Sequence, residues 1–423
     1  MRWFVLLFLL TSCAAPKPSM TATEQVKKEK FPKTDAFMKN LLQQYPFYFD
    51  SLLRQQQIWK FSIIYTKIDR TASGQPRFTN YFFNIDPREY FYPASTVKMP
   101  VAFLSLQKLN ELSIPGLDKE STMITESGYP WQSAIYNDPE SEDGRPTIAN
   151  YIKKIFLVSD NEAFNRLYEF LGQEHINRSL HAMGYDSAQI IHRLNISLSE
   201  EKNRLTNPVK FYDTSATMLY QQPLVNSSLP YQHRKTFMGK GYMSGDSLVQ
   251  LPFDFSKKNR LTLADLHTMM QSVIFPDAVP ASMRFHLTTD DYRFLYRYMS
   301  MKPKESGFPQ YGPTINDAYV KFLLFGGRGE IREPVRIFSK SGDAYGFLTD
   351  VAYITDPEKN IEFFLSANIY CNTDGIFNDD HYDYDRVGFP FMKHLGEVFY
   401  LYELKRKKKN IPDLSAFRID YSH

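Results

Sequence analysis

The chain is poor in cysteine, with two in 423 residues. Cys13 closes the first apolar segment, which leaves Cys371 alone in the body of the chain. An internal disulfide framework is therefore excluded beyond residue 13, as is a cysteine-rich structural zinc site. Cys371 reads as a plain buried or half-buried thiol. A large charge of one sign is also missing. Fifty Lys and Arg against 47 Asp and Glu leave a net +3, so the electrostatic footprint of a nucleic-acid binder is not there. The apolar run from Trp3 to Leu10 is too short to cross a bilayer as a helix. No internal repeat is found.

What is present is ordinary globular material. Hydrophobic residues make up 43% and charged residues 23%, against a disordered, collagen-like or multi-span chain. The length suits two or so compact units. Aromatics reach 15%, with 34 Phe and 28 Tyr. That supply fits a large core and aromatic-lined clefts, and does not name a ligand. Tyr129 and Tyr136 are candidate cleft-edge aromatics, or ordinary packing residues.

Residues 1–13 read MRWFVLLFLLTSC: a positive start, an apolar run, then Leu10-Thr11-Ser12-Cys13. The last four resemble the lipobox of bacterial lipoproteins. That resemblance implies removal of residues 1–12 and a diacylglycerol on the Cys13 thiol. The polar stretch 13–33 then reads as a flexible tether. Lipid at Cys13 would hold the protein at a bacterial membrane, with the folded part outside the cytoplasm on a periplasmic or surface face. An ordinary secretory signal with a coincidental cysteine is the alternative.

The pattern along the chain predicts helix over 34–57 with a break near Pro46, and strands at 58–68 and 78–85. Helices follow at 95–112, 147–158, 159–171 and 173–184, with Pro100 inside the second turn of the first. Residues 206–258 show poor helical periodicity and read as an insertion. Helix resumes at 261–274. Three strands are expected at 334–340, 345–354 and 361–370, then a closing helix at 387–408. Strands from both ends of the chain would join in one antiparallel sheet. The lobes are 34–92 with 325–423 (α/β) and 93–324 (helical), and the cleft between them is the default site.

Three short motifs carry chemistry. In Ser95-Thr96-Val97-Lys98 the hydroxyl and amine share a helical face. A first-turn serine also sits where backbone N–H groups point outward, and a nearby amine can take its proton. The string is weak alone, since Ser105/Lys108 and Ser199/Lys202 match it too. Ser159-Asp160-Asn161 offers a second hydroxyl and an amide, or simply a helix cap. Lys340-Ser341-Gly342 ends a predicted strand, where ammonium and hydroxyl could clamp a carboxylate and glycine allows close approach. A plain turn is its other reading.

Taken together and in this order, the set resembles the S-x-x-K, S-D-N and K-T-G signature of class A β-lactamases and related penicillin-binding proteins. The resemblance implies an α/β (α+β) fold: an antiparallel sheet flanked by helices plus an all-helical lobe, with the insertion near 206–258. It implies that Ser95 is the nucleophile, Lys98 the general base or holder of a proton relay, and Ser159 the proton donor to the leaving nitrogen. Asn161 would bind the acylamide side of a substrate. Lys340, Ser341 and Gly342 would receive its carboxylate, with serine in place of the commoner threonine. The oxyanion hole would be the N–H groups of Ser95 and Asp343. No metal or cofactor is implied. The acidic run Asp379 to Asp385 reads as a solvated loop rather than a cation site. The implied substrate is a small β-lactam or a cell-wall peptide, and no nucleic acid is expected.

Two departures matter. Class A enzymes use a loop glutamate to activate the deacylating water, and by counting that position falls on Leu198. Arg193-Leu194-Asn195 sits where the loop should begin, and Glu200 and Glu201 are the nearest candidate bases. The interval from Ser159 to Lys340 is also long, mostly through residues 206–258. The expected activity is therefore acyl-serine hydrolysis of a β-lactam or related amide. The rivals are a D,D-peptidase on cell-wall peptides and a non-catalytic sensor lipoprotein.

Overall fold

A computed structural model describes residues 31–232 and 234–421. The signal and Cys13 lie outside the described residues. Strand sequence dictates the centre. Ser62–Arg70, Pro76–Phe83, Arg336–Ala344, Phe347–Asp356 and Ile361–Tyr370 form one five-stranded antiparallel sheet. Ser62–Arg70 pairs with both its hairpin neighbour and Ile361–Tyr370, with Ile64 opposite Ser366. The two ends of the chain are thus joined, as expected. Arg336–Ala344 lies at one edge.

Alternation along these strands sorts residues to two faces. Ile63, Tyr65, Phe363 and Leu365 pack with Met38, Leu42 and Phe49 of the first helices and with Met392, Leu395 and Phe399 of the last. Ile64, Ile68, Val351, Tyr353 and Phe364 face the helical core built on Val101, Phe103, Ile155, Phe164 and Met269. The strands Phe347–Asp356 and Ile361–Tyr370 are buried throughout. Cys371 is a free, buried thiol.

The N-terminal helix breaks at Pro46 into Ala36–Gln43 and Pro46–Arg54, with the proline at the first position of the second helix. The serine segment starts differently from expectation. Ala94–Val97 is a 3-10 turn, and the α-helix begins at Lys98 and runs to Leu112. Pro100 therefore falls in the first α-turn, where a missing N–H removes no intrahelical bond. Ile148–Val158, Asn161–Leu171 and Gln173–Ala182 follow. The insertion carries short strands, among the described residues of 205–254. Val209–Tyr212 pairs with Thr122–Thr125 and Met218–Gln222, and Gly241–Ser244 runs parallel to Ile376–Phe377. Among the elements that escape the sequence pattern are the Thr122–Thr125 strand and a helix at Thr289–Ser300. The latter carries a capping box of Thr288 and Asp291, a signature readable from T-x-x-D. Among the described residues no helix is long and apolar enough to cross a membrane.

Candidate active site

Each of the three motifs occupies a joint in the fold. Ser95 is half-buried in its 3-10 turn, and Lys98 is fully buried at the start of the following helix. Ser159 ends Ile148–Val158 in a left-handed conformation, φ 61°. Such a backbone is strained for a residue with a Cβ and persists where its surroundings fix it. Asp160 caps the next helix, its carboxylate accepting the Ala163 N–H at 2.7 Å. The helix-cap reading of Ser159-Asp160-Asn161 holds for Asp160, and that cap sets the backbone from which Ser159 and Asn161 project.

The side chains converge. Lys98 Nζ donates to the Ser159 carbonyl, to Asn161 Oδ1 at 2.7 Å and to Ser159 Oγ at 3.3 Å. Lys340 Nζ donates to the same Ser159 Oγ at 2.8 Å and to the Ser341 carbonyl at 2.7 Å. Two amines from separate elements thus share one hydroxyl. Burial pushes the Lys98 amine down to about 7, against the pull of Asp160 and Asp343. Burial, reinforced by Lys98, also holds Lys340 well below the ordinary lysine range. A neutral Lys98 keeps two N–H groups for the Ser159 carbonyl and Asn161 and has a lone pair left for a proton. That is the electronic requirement for activating a serine hydroxyl.

Glycine at 342 has a direct steric reason. A Cβ there would come within 2.6 Å of the Ser95 N and 2.9 Å of the Thr96 N. The edge strand is pressed against the serine turn, and the bare glycine keeps the Ser95 N–H accessible. Asp343 follows, opposite Leu348, and is exposed. Its carboxyl is raised by desolvation, against Lys340 and Lys98. Ser341 is not free as drawn from sequence: its hydroxyl donates to the Val320 carbonyl at 2.8 Å.

Supporting residues were missed by sequence reasoning. Asp350, opposite Ser341, accepts the N–H groups of Phe322 and Leu323 at 2.9 Å each. It straps the segment holding Val320 to the sheet. Asn165 is one helical turn beyond Asn161, on the same face. Its side chain clamps both backbone groups of Leu194, at 2.9 and 3.0 Å. Asn259 and Asn203 hold Ile191, His192 and Arg193 in the same way. No single-residue signal marks these amides. They are recognisable only once the loop they hold is placed.

Of the candidate loop bases, Glu200 is held in ion pairs and Glu201 faces solvent. Glu200 starts the short helix Glu200–Arg204 and pairs with Lys257 at 3.0 Å and Arg204 at 3.4 Å. Glu201 is exposed. The loop residue clamped beside the Asn161 helix is Leu194, apolar and buried. Tyr129 stacks on Trp131 at 5.9 Å, and it and Tyr136 are exposed. In the acidic run, Asp383 pairs with Arg386 at 2.7 Å and Asp385 pairs with Arg328. Among the described residues no group of three or more His, Cys, Asp or Glu is placed to hold a metal ion.

A serine turn, a paired-amine corner and a glycine-bearing edge strand thus meet at one place in the fold. Comparison with known proteins identifies the family. The model of the beta-lactamase enzyme family matches residues 49–366, well over half of the chain and all three motifs. The chain belongs to that family. Solved structures similar to it include a beta lactamase from Xanthomonas campestris (14% identity, 85% of this chain and 97% of that one, TM-score 0.46). A class A beta-lactamase from Clostridium kluyveri is similar at 16% identity, 84% and 99% coverage and TM-score 0.47. One from Bacteroides cellulosilyticus is similar at 14%, 86% and 96%, and 0.46. No curated protein matches the chain.

Proposed function

We propose that the protein is an acyl-serine hydrolase, with Ser95 attacking a β-lactam or related amide and Lys98 taking its proton. The observation that carries this reading is the meeting of Lys98 and Lys340 on the Ser159 hydroxyl. Once Lys98 has taken the Ser95 proton it has a third N–H for Ser159 Oγ, and with both amines then donating to that oxygen the hydroxyl keeps its own proton for a leaving nitrogen. The N–H groups of Ser95 and Asp343 are the donors for the oxyanion. The test is intact-mass detection of an adduct after mixing with a chromogenic β-lactam. The parent should gain the acyl mass and Ser95→Ala should not; retained labelling of the variant would sink the assignment.

One observation favours a second reading for the fate of that adduct. Leu194 is held where the loop meets the Asn161 helix, and Glu200 is committed to Lys257 and Arg204. Without a loop carboxylate the acyl-enzyme should hydrolyse slowly, as expected of a penicillin-binding peptidase on cell-wall peptides. A lasting adduct supports that reading, and rapid turnover supports a β-lactamase. A parent that binds cell wall but never acylates would point to the sensor alternative. The lipid anchor is a separate proposal. Cys13→Ala should move the protein from the membrane fraction to the soluble one.

A further inference from the structure

The Lys340–Ser341 edge is the place where a substrate carboxylate would be received, and its donors already have partners within the protein. Lys340 Nζ gives hydrogen bonds to Ser159 Oγ and to the Ser341 carbonyl, at 2.8 and 2.7 Å. The Ser341 hydroxyl proton goes to the Val320 carbonyl, itself strapped through Asp350. A third side chain then completes the edge. Asp343 is exposed in the same strand, one residue past the glycine pressed on the Ser95 amide and three past Lys340. The charged groups acting on its carboxyl are Lys340 from its own strand and Lys98 from the serine helix, and its own charge acts on the Tyr384 phenol. The site therefore supplies its own carboxylate against its two amines. Both amines are also depleted of charge by burial. An incoming carboxylate would meet an anion and two weakened cations.

We propose that Asp343 is a specificity-determining residue, making the cleft favour acyl substrates whose group at the Lys340–Ser341 edge is uncharged, an amidated or esterified carboxyl, over those bringing a free carboxylate. This rests on the acyl-serine reading and names its substrate class. Selection comes from the like-charge penalty and needs no new contact.

A matched pair of probes isolates the effect: one chromogenic cephalosporin with its free carboxylate, and its methyl ester. Second-order acylation of Ser95 is followed by stopped-flow absorbance and confirmed by intact mass. The parent should acylate faster with the ester. Asp343→Asn and Asp343→Ser should each shift the acid-to-ester rate ratio toward the acid by about tenfold. Using a ratio cancels any general change in the oxyanion hole, and two replacements guard against one that folds poorly. A parent that prefers the free acid, with a ratio unmoved in both variants, overturns the proposal while leaving Ser95 acylation standing. Absence of an adduct with either probe overturns the acyl-serine reading and this inference together.

Discussion

Arg193 and Glu169 are buried together with every charge answered. The guanidinium donates to both Glu169 oxygens, at 2.6 and 2.9 Å, and to the Leu205 carbonyl at 2.7 Å. The Asn207 N–H completes the carboxylate at 2.8 Å. Each side chain is only 3% exposed. Lys98 and Lys340 are equally buried, yet their hydrogen-bond partners are neutral: hydroxyl, carbonyl and amide oxygens. One cluster is matched and inert. The other is left short of counter-charge, so its protons are loosely held. Under the proposed acyl-serine reading, that difference is what separates a support from a reaction centre, without reference to any motif.

The sharpest test of that contrast is Lys98→Met. Acylation should fall by roughly 10²–10⁴-fold, the range for loss of a positioned general base. Stability should move the other way. Burial lowers the folded-state value of Lys98 from 10.5 to about 7. The folded protein therefore pays most to keep it at low pH, and the penalty fades as pH rises from about 7 toward the unfolded value. Thermal unfolding at mildly acidic pH should show the Met variant at least as stable as the parent. A large loss of stability would mean that Lys98 is a structural residue like Arg193.

Gly342→Ala comes next. The added Cβ would crowd the Ser95 N–H, so acylation should drop by roughly 10²–10³-fold, as for loss of one oxyanion donor. The measurement is the second-order acylation rate, with circular dichroism to establish folding. Near-parent rates would show that the strand is not fixed against the serine turn.

Arg193→Met breaks the matched cluster and should do the reverse of Lys98→Met. Leaving Glu169 buried and unpaired should cost about 3–5 kcal/mol in urea unfolding. Adding Glu169→Leu should recover much of that loss. The folded fraction should still acylate within a few-fold of the parent. If acylation collapses while stability holds, the two clusters are one functional unit and the contrast fails.

The sequence made the candidate reacting residues legible because they lie close along the chain: Ser95 and Lys98 are three residues apart, and Lys340 to Gly342 are consecutive. Their decoys were equally legible and mean something else in three dimensions. Ser105 bonds back to the Val101 carbonyl at 2.8 Å, and Ser199 caps a short helix. The central sheet was also readable, from β-branched and aromatic runs at both chain ends. The supports were not. Asn165 matters only because Leu194, far along the chain, is folded onto it. Asp350 matters only because Phe322 and Leu323 cross behind its strand. The Thr122–Thr125 strand is defined by Val209–Tyr212. Each depends on a partner that pattern and spacing do not reveal.

The mildest probe of the contrast changes no residue. If Lys98 accepts the serine proton, the acylation rate depends on its neutral fraction. Below about pH 7 the amine is protonated, and the rate should fall about tenfold for each further unit. Above that point the rate should level off, since the base is already free. Arg193 contributes nothing to this profile, because its pair keeps it charged across the whole range. Stopped-flow acylation by an uncharged probe, at constant ionic strength, measures the curve without adding the charge of the probe. The Asp343 carboxylate draws the amine upward, so Asp343→Asn should move the inflection to lower pH. An inflection at the ordinary lysine value would make Lys98 a solvated amine in all but position. A flat profile would assign the proton to some other group.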